Sequence, residues 1–419
     1  MRAVIVGLGY VGLPLANAAS DSGHEVIGLD RSNRIVDGLN AGRSHIDDLH
    51  DDDIATLLGT GFRATTEESV IAEADIVVIC VPTPLDDSGR PDLTAVIGAT
   101  KSIAANLRAG TTVVLESTTY PGTTEEVLKP LLEAGGLVCG RDFYLAFSPE
   151  RIDPGNERFS IRNTPKVVGG VNPASTEKAV GFYSAFVESV VTTKGTREAE
   201  TAKLLENTYR HVNIALVNEM AQFCHAMGID IWDVIAAAKT KPFGFQSFTP
   251  SAGVGGHCIP IDPNYLAYKV RADLDRPFRF VELAEEINQS MPMFVSRRVQ
   301  DMLNDRSKAI RGAKILLLGV TYKPDISDRR ESPAVPLAKR LLSMGGELTY
   351  HDPHVADWVV EGRLVAQAED LTAACAEADA IVIVQAHRAY RDQPQAILGA
   401  GVPVLDATGR FSGSNVERL

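Results

Sequence analysis

The chain opens with the stretch Met1-Arg2-Ala3-Val4-Ile5-Val6-Gly7-Leu8-Gly9-Tyr10-Val11-Gly12. Ala3–Val6 is a short apolar run typical of a buried strand, and Gly7–Gly12 reads G-x-G-x-x-G. A helical pattern and a second strand follow, and the acidic Asp30 stands eighteen positions after Gly12. The glycine pattern alone is weak evidence. In this order, however, strand, tight turn, helix, strand and acid predict a dinucleotide-binding βαβ unit.

The glycine turn indicates how a cofactor would be held. Glycines let the backbone approach a pyrophosphate, which binds at the positive N-terminus of the following helix. Asp30 would accept hydrogen bonds from the adenosine ribose and favour NAD over NADP, although Arg31 beside it could soften that preference. Val81-Pro82-Thr83 ends another predicted strand, at the edge where ligands bind in such sheets, although a rigid turn is the alternative. The expected NAD-binding residues are Gly7, Gly9, Tyr10, Val11, Gly12, Asp30, Arg31, Val81, Pro82 and Thr83.

The alternation of strands and helices recurs along the chain. The predicted strands are Ala3–Val6, Glu25–Asp30, Asp75–Val81, Thr111–Leu115, Tyr144–Phe147, Lys314–Gly319, Glu347–His351, Ala380–Val384 and Val402–Leu405. Glu73–Ile79 also resembles Glu377–Ile383, which suggests two related domains. Between them lie long helical patterns, and no Gly or Pro interrupts Thr196–Met227.

These patterns predict an α/β fold with two Rossmann-like doubly wound domains joined by a central helical region. The expected boundaries are 1–195 for an NAD-binding domain, 196–305 for a helical connector, and 306–419 for a second nucleotide-binding domain. A long central helix must bury its apolar side, so we expect a homodimer through the central helices.

Composition excludes several classes of protein. The 419 residues carry a net charge of −13 with no basic face, which argues against nucleic acid as a partner. Apolar runs such as Ile315–Val320 are too short to span a membrane, and no signal peptide is expected before the first strand. The five cysteines are scattered without paired spacing, which favours the reducing cytoplasm over a disulfide framework, and no metal site is expected.

A reactive thiol is suggested by the stretch Gly253-Val254-Gly255-Gly256-His257-Cys258-Ile259-Pro260-Ile261-Asp262-Pro263. Asp262-Pro263 is typical of a helix start, so Cys258 would lie just before a helix N-terminus, where a thiolate is favoured. The neighbouring glycines leave backbone amides that could hold an oxyanion. The alternatives are a loop thiol without function for Cys258 and a simple helix cap for Asp262.

Lys203 and Asn207 are four positions apart and therefore share one face of the predicted central helix. They could form an exposed polar stripe, or the lysine could stabilise a developing oxyanion. Their spacing does not choose between the two.

Taken together, the motifs resemble the UDP-glucose/GDP-mannose dehydrogenase family over essentially the whole chain. The matching segments are Gly7–Gly12, Glu116–Thr123, Ser148–Arg151, Lys203–Asn207, Gly255–Asp262 and Tyr322–Asp325. Within the family, Ile152–Asn156 and Lys241–Phe245 look most similar to the UDP-N-acetylglucosamine 6-dehydrogenase branch, and the UDP-N-acetylmannosamine and UDP-glucose enzymes are the near alternatives. One departure is Thr249–Gly253, which stands where relatives have a Tyr-Pro-Gly-Pro-Gly run, and this puts the exact sugar in doubt.

The resemblance implies an NAD-dependent four-electron oxidation of a UDP-hexose at C6, with a second hydride leaving a thiohemiacetal on Cys258 and water hydrolysing the thioester. It implies that Lys203 and Asn207 hold the oxyanion, that Glu150 and Thr118 position water, and that Asp262 assists proton transfer. It implies a UDP-sugar partner bound by Arg151, Phe245, Gly255, Lys323, Arg330 and Arg410, although Lys323, Arg330 and Arg410 could be solvated charges.

Two other functions remain open at this level. A two-electron hydroxyacid dehydrogenase would share the layout, but it needs neither Cys258 nor the second nucleotide-binding domain in 306–419. A non-catalytic NAD-binding regulator would leave Lys203, Cys258 and Asp262 without a use.

Overall fold

The computed structural model describes residues 1–86, 88–152, 156, 158–256 and 259–419. The described chain divides into two compact units. The first unit is Met1–Glu206 with Asn264–Arg276, and the second is Asn207–Pro263 with Pro277–Leu419. The three-part division expected from the sequence stays a prediction.

The first unit is built on an eight-stranded sheet. Its strands are β1 (Arg2–Val6), β2 (Glu25–Leu29), β3 (Arg63–Thr65), β4 (Ile76–Ile79), β5 (Thr112–Leu115), β6 (Tyr144–Phe147), β7 (Lys166–Gly170) and β8 (Val190–Thr192). The sheet order is β3-β2-β1-β4-β5-β6-β7-β8, and β1–β6 are all parallel. This is the order of a doubly wound nucleotide-binding sheet. The sequence did not predict that β7 pairs antiparallel with β6 or that β8 then runs parallel to β7.

Helices cover both faces of this sheet. They are α1 (Gly12–Asp21), α2 (Asn33–Asn40), α3 (Asp51–Gly59), α4 (Thr94–Asn106), α5 (Lys129–Glu133) and α6 (Pro173–Tyr183), with a 3₁₀ turn at Glu68–Glu73 and a π-helical turn at Thr124–Leu128. The strands are nearly continuous in apolar residues because both sheet faces are buried. Alternate residues accordingly enter two cores, with Ile5 and Val78 in one and Val4 and Val77 in the other.

The helices that follow are α7 (Thr196–Ala226), α8 (Ile231–Lys239), α9 (Asp262–Leu274) and α10 (Arg279–Asn304). The long helix predicted from Thr196 is confirmed. It is followed by Gly228, whose φ of +69° suits glycine because a side chain is strained there. The Asp230 side chain then accepts a hydrogen bond from the Trp232 N–H at 2.9 Å and so caps α8. Within the part of the chain that the structure describes, no helix has the length and apolar character needed to cross a membrane.

The second unit contains a six-stranded parallel sheet of order β13-β10-β9-β14-β15-β16 and a two-stranded hairpin, β11-β12. The strands are β9 (Lys314–Leu318), β10 (Glu347–His351), β11 (Val359–Val360), β12 (Arg363–Leu364), β13 (Ala366–Gln367), β14 (Ala380–Ile383), β15 (Val404–Asp406) and β16 (Val416–Arg418). The helices are α11 (Ala334–Ser343), α12 (Leu371–Glu377), α13 (Arg388–Asp392) and α14 (Pro394–Leu398). The predicted class, two Rossmann-like sheets with long helices between them along the chain, is therefore confirmed.

The two sheets repeat one turn in atomic detail. In the first unit Gly7 has φ +91°, and Asp30 accepts the Leu8 N–H at 2.9 Å. In the second unit Gly319 has φ +76°, and Asp352 accepts the Val320 N–H at 2.7 Å. In each turn an added Cβ on the glycine would lie 2.5–2.6 Å from a carbonyl oxygen of the neighbouring strand end. Only glycine fits either turn, which explains why both sheets keep it.

Candidate active site

The glycine turn has the form that a dinucleotide requires. An added Cβ on Gly12 would lie 1.8 Å from Gly7 O, so the first residue of α1 packs directly on the turn. By contrast, apart from Gly9 and its chain neighbours, no atom of the described residues lies within 4 Å of the Cβ position of Gly9, so the middle of the turn borders open space. No side chain caps α1 at Val11. A pyrophosphate therefore has both room and backbone donors at this helix start.

Asp30 holds the turn from the end of β2. Its two carboxylate oxygens accept the Leu8 N–H and the Ser32 N–H, each at 2.9 Å. Each carboxylate oxygen has a second lone pair, so the acid can still accept a ribose hydroxyl. Arg31 is exposed. Asp30 thus combines a fold-holding role with the expected ribose contact.

The segment after β4 reaches the same sheet edge. Thr83 is buried, Val81 is half-buried and Pro82 is exposed. The Ser117 hydroxyl donates to Val81 O at 2.7 Å and so joins this segment to the end of β5. The predicted cofactor segments after β1, β2 and β4 therefore follow adjacent strands.

A buried cluster of charges lies at the ends of β5 and β6 and the start of β7. Lys166 Nζ is 3.0 Å from Glu116 Oε1 and 3.9 Å from Glu150 Oε2, and Tyr183 OH also donates to Glu116. Burial raises the pKa of Glu116, although the Lys166 ammonium opposes the shift. Burial lowers the pKa of Lys166, but the two carboxylates outweigh it and leave that pKa above its usual value. Two carboxylates thus share one ammonium in a dry environment.

Lys203 joins this cluster from α7. Its Nζ donates to the Glu150 backbone oxygen at 2.5 Å, and only 6% of the residue is exposed. The Ile152 N–H donates to Glu150 Oε1, whereas the buried Oε2 has no hydrogen-bond partner among the described residues. The structure therefore brings together Lys203 and Glu150, two of the residues that the resemblance singled out. The rest of the cluster was missed because Lys166 and Tyr183 belong to no local motif, and because Glu116 was noted only as the first residue of the Glu116–Thr123 segment.

The loop after β5 carries a second hydroxyl beside the predicted one. Thr118 is half-buried, whereas Thr119 is 1% exposed and its hydroxyl finds no hydrogen-bond partner in the described part of the chain. Glu200 on α7 accepts the Gly122 N–H at 2.6 Å and the Thr124 N–H at 2.9 Å. Burial raises the pKa of Glu200 to about 7, although these hydrogen bonds act to lower it. This acid, three residues before Lys203, fixes the threonine loop to the same helix.

Asn207 and Asp262 meet within the second unit. The Asn207 amide donates to Asp262 Oδ2, and Asp262 is fully buried at the first residue of α9. The predicted helix start is confirmed. Cys258 and His257 lie outside the described residues. The described cysteines, Cys80, Cys139, Cys224 and Cys375, are all free thiols.

The predicted substrate residues lie in varied surroundings. Arg151 pairs with Glu206 at 2.7 Å, and Arg330 is held by Asp328 at 2.6 Å. Lys323 is half-buried, Arg410 is exposed and Phe245 is 46% exposed. Gly255 is half-buried beside Tyr322 and Glu331. A phosphate would have to compete with Asp328 for the Arg330 guanidinium.

Three possible metal ligands also come together in the second unit. Asp325, His354 and His387 place donor atoms within 4.8 Å of one another. However, His387 Nδ1 accepts the Asp325 N–H at 2.9 Å, and its Nε2 lies 3.1 Å from Asp352 Oδ2. Both ring nitrogens of His387 are therefore occupied by hydrogen bonds.

Comparison with known proteins agrees with this geometry. Three family models match the chain: the NAD binding domain of the UDP-glucose/GDP-mannose dehydrogenase family over residues 1–187, its central domain over 197–290, and its UDP binding domain over 316–410. The UDP-N-acetyl-D-mannosamine dehydrogenase of Methanococcus maripaludis (strain C7) is 35% identical over 356 residues, covering 84% of this chain and 79% of that protein.

Two solved structures are similar over all of this chain. The UDP-D-ManNAc dehydrogenase of Pyrococcus horikoshii has a TM-score of 0.91, 32% identity and 99% of its own chain covered. The NDP-N-acetyl-D-galactosaminuronic acid dehydrogenase of Methanosarcina mazei Go1 has a TM-score of 0.83, 31% identity and 94% covered. The glycine turn, the presence of two Rossmann-like sheets and these relatives together show that this chain is an NAD-dependent dehydrogenase that belongs to the UDP-glucose/GDP-mannose dehydrogenase family.

Proposed function

We propose that the chain oxidises C6 of UDP-N-acetylmannosamine to the uronic acid in a four-electron, NAD-dependent reaction. The observation that carries the choice of sugar is that a relative 35% identical over 79% of its length and a structure with a TM-score of 0.91 both bear the N-acetylmannosamine name. The motifs Ile152–Asn156 and Lys241–Phe245 had favoured UDP-N-acetylglucosamine. The relatives support the mannosamine alternative better, and UDP-N-acetylglucosamine becomes the second candidate.

The reaction balances as two oxidations and one hydrolysis. The residues of the Gly7–Gly12 turn and Asp30 would hold NAD, which would supply the hydride acceptor for each of the two oxidations. The first oxidation turns the C6 alcohol into an aldehyde. The Cys258 thiolate adds to the aldehyde carbon, and the second oxidation turns the resulting hemithioacetal into a thioester. Water then breaks the C–S bond and releases the carboxylate and the thiol.

Lys203 is suited to stabilise the oxygen that becomes negative when the thiolate adds. Its ammonium is almost completely buried, and a charge acts more strongly in a dry site than in water. Its contact with the Glu150 backbone fixes its direction. We propose that Lys203 and Asn207 bind this oxygen.

Glu150 is suited to orient the hydrolytic water, together with Thr118. One carboxylate oxygen is fixed by the Ile152 N–H, and the other is buried without a hydrogen-bond partner among the described residues. Such an oxygen is an acceptor available to a water proton. Asp262 would take a proton from the substrate or the thiol, with its orientation set by Asn207.

The decisive experiment counts NADH per UDP-N-acetylmannosamine consumed, in the wild type and in Cys258→Ser. The matched control is Cys139→Ser, since Cys139 is a half-buried free thiol outside the proposed chemistry. We expect two NADH per sugar from the wild type and the control, and no uronic acid from Cys258→Ser. One NADH per sugar, unaffected by Cys258→Ser, would show a simple two-electron dehydrogenase instead.

The sugar is tested by comparing kcat/KM for the two N-acetylhexosamine nucleotides. We expect UDP-N-acetylmannosamine to exceed UDP-N-acetylglucosamine by at least about tenfold, equivalent to roughly 1.4 kcal/mol of transition-state binding. The reverse order would favour the glucosamine branch that the motifs first suggested.

We also propose that the protein is a homodimer through α7. Five large apolar side chains on this helix are exposed: Leu205 at 66%, Tyr209 at 47%, Leu216 at 57%, Met220 at 38% and Phe223 at 53%. Exposed apolar surface of this kind favours association. Sedimentation equilibrium should give about twice the chain mass of 45.0 kDa, and Leu216→Lys should lower it toward the monomer.

A further inference from the structure

Within the second unit, the glycine segment Gly253–Gly256 packs against the segment Tyr322–Pro333. Added Cβ atoms on Gly253, Gly255 and Gly256 would lie 2.9 Å from Pro333 Cβ, 2.6 Å from Glu331 O and 2.8 Å from the Tyr322 ring. A distance under about 3 Å excludes a side chain. Three glycines of one short segment are therefore fitted to one facing segment.

The glycine segment is fixed at its other end by α7. The Ser251 N–H donates to Asn218 Oδ1 at 2.9 Å, and the Ser251 hydroxyl donates to Gly253 O at 2.7 Å. Asn218 is itself fully buried and held by Asn288 on α10 at 2.9 Å. Gly255 and Gly256 have Tyr322, Arg330 and Glu331 among their neighbours on the facing segment.

The facing segment also carries Lys323 and Arg330, two of the residues that the resemblance assigns to UDP-sugar binding. Lys323 follows Tyr322 directly, and Arg330 uses its backbone oxygen to accept the Gly256 N–H at 3.1 Å. The Tyr322 backbone is held by Gln385, whose amide donates to Tyr322 O at 2.9 Å, and by its own N–H bond to Asp328 O at 3.1 Å. A ligand that fixed the Arg330 side chain would therefore also fix the carbonyl that holds Gly256.

We propose that Tyr322 is a positioning residue that couples occupation of the UDP site to the order of the glycine segment preceding Cys258 in the sequence. The ring of Tyr322 covers Gly256, so that a uridine diphosphate bound at Lys323 and Arg330 tightens the packing of both segments. This proposal rests on the proposed function, because it needs a UDP-sugar substrate and a thiol nucleophile. Coupling of two sites is reciprocal, so it can be measured with UDP alone.

The test is hydrogen exchange, followed by mass spectrometry, of peptides covering residues 251–256 in the full-length protein, with and without saturating UDP. In the wild type we expect UDP to slow the exchange of the Gly256 amide about 5- to 150-fold, the usual range of coupling between sites. Tyr322→Phe keeps the ring and should keep the effect. In Tyr322→Ala the ratio should fall to about 1, while calorimetry should show UDP binding within a few-fold of the wild type.

The outcomes separate this proposal from the proposed function. If UDP binds the wild type but leaves exchange at Gly256 unchanged, or if Tyr322→Ala retains the full effect, the coupling role of Tyr322 is wrong and the enzyme assignment stands. If UDP does not bind the wild type, the proposed substrate class is wrong, and the coupling falls with it. A general loss of structure in Tyr322→Ala would appear as faster exchange throughout the second unit and would be seen without UDP. In that case the comparison of wild type with Tyr322→Phe decides, and loss of the UDP effect in Tyr322→Phe overturns the proposal.

Discussion

Replacement of Lys166 by methionine should destabilise the first unit strongly, and more at high pH than at low pH. The Lys166 ammonium lies 3.0 Å from Glu116 and 3.9 Å from Glu150, and only 5% of its side chain is exposed. At an effective dielectric constant of about 20, these pairs correspond to roughly 5 and 4 kcal/mol of gross attraction. The cost of desolvation offsets most of this attraction. Removal of the ammonium, however, leaves the carboxylates buried without a counter-charge, so we expect the free energy of unfolding to fall by about 3–5 kcal/mol at pH 8.

The pH dependence follows from Glu116. Burial already raises the pKa of Glu116 above its unfolded value, so its contribution to stability is full at pH values below that of the unfolded carboxyl and declines as the pH rises through the folded value. Without the ammonium the pKa of Glu116 rises further. Near pH 5 the Glu116 carboxyl of the variant can then bind a proton and become neutral, which avoids an unpaired buried charge. The difference between wild type and Lys166→Met should therefore grow from pH 5 to pH 8.

Urea unfolding followed by circular dichroism at both pH values measures this difference. The matched control is Lys178→Met, which removes an exposed ammonium from α6 of the same unit and should change stability by no more than about 1 kcal/mol. The double variant Glu116→Gln with Lys166→Met should recover part of the loss, because it removes both members of the closer ion pair and leaves only Glu150 without the ammonium. A loss no larger than that of the control, or one independent of pH, would refute this account of the cluster.

Three further predictions concern the turn, the threonine loop and the proton acceptor. Gly9→Ala should keep the midpoint of thermal unfolding but weaken NAD binding measured by calorimetry, because its Cβ enters open space. Gly12→Ala should lower the midpoint of thermal unfolding itself. Equal changes of the midpoint in the two variants would contradict the turn geometry. The free energy of unfolding of the wild type, minus that of Glu200→Gln, should fall by up to about 3 kcal/mol as the pH rises from 4.5 to about 7. Unfolding titrations measure this difference, and a value independent of pH would count against the raised pKa of Glu200. Asp262→Asn should lower kcat about 10²- to 10⁴-fold with the KM for the UDP-sugar little changed, while a change confined to KM would assign Asp262 to binding.

Much of the fold was predictable because its strands are buried on both faces. Tyr144–Phe147 and Glu347–His351 are confirmed to the residue, and the helix from Thr196 ends one residue before the predicted Met227. The strand predicted over Asp75–Val81 is shorter, Ile76–Ile79. The Cys80 N–H still donates to Val6 O at 2.8 Å, but Pro82 has no backbone N–H with which to extend the ladder. The antiparallel return of β7 was not predictable, since strand direction depends on tertiary pairing.

The candidate site was predictable only where residues belong to a local motif. The glycine turn and the start of α9 have such motifs. Lys166 and Tyr183 have no such motif, and Glu116 lies in the Glu116–Thr123 segment without a role assigned to it there. Up to 67 positions separate the partners of this cluster. Their meaning depends on burial, which charge alone does not reveal. For the same reason the sequence did not show which of the neighbouring residues Thr118 and Thr119 has the buried hydroxyl.

The repeated turn differs between the two sheets in one respect that bears on how electrons leave the substrate. Asp352 stands where Asp30 stands in the first sheet, but its side chain is fully buried. Its oxygens accept the Val320 N–H at 2.7 Å, the His354 N–H at 2.8 Å and a bond from His387 at 3.1 Å. A ribose hydroxyl cannot reach an acid sealed in this way, so the second turn keeps the form of a dinucleotide site without its acceptor. Of the two turns that the structure describes, the one at Gly7–Gly12 alone keeps an acid open to a ribose. In the proposed oxidation both hydrides would then be accepted at that turn, so the aldehyde-level sugar would stay bound while reduced cofactor is replaced by oxidised cofactor.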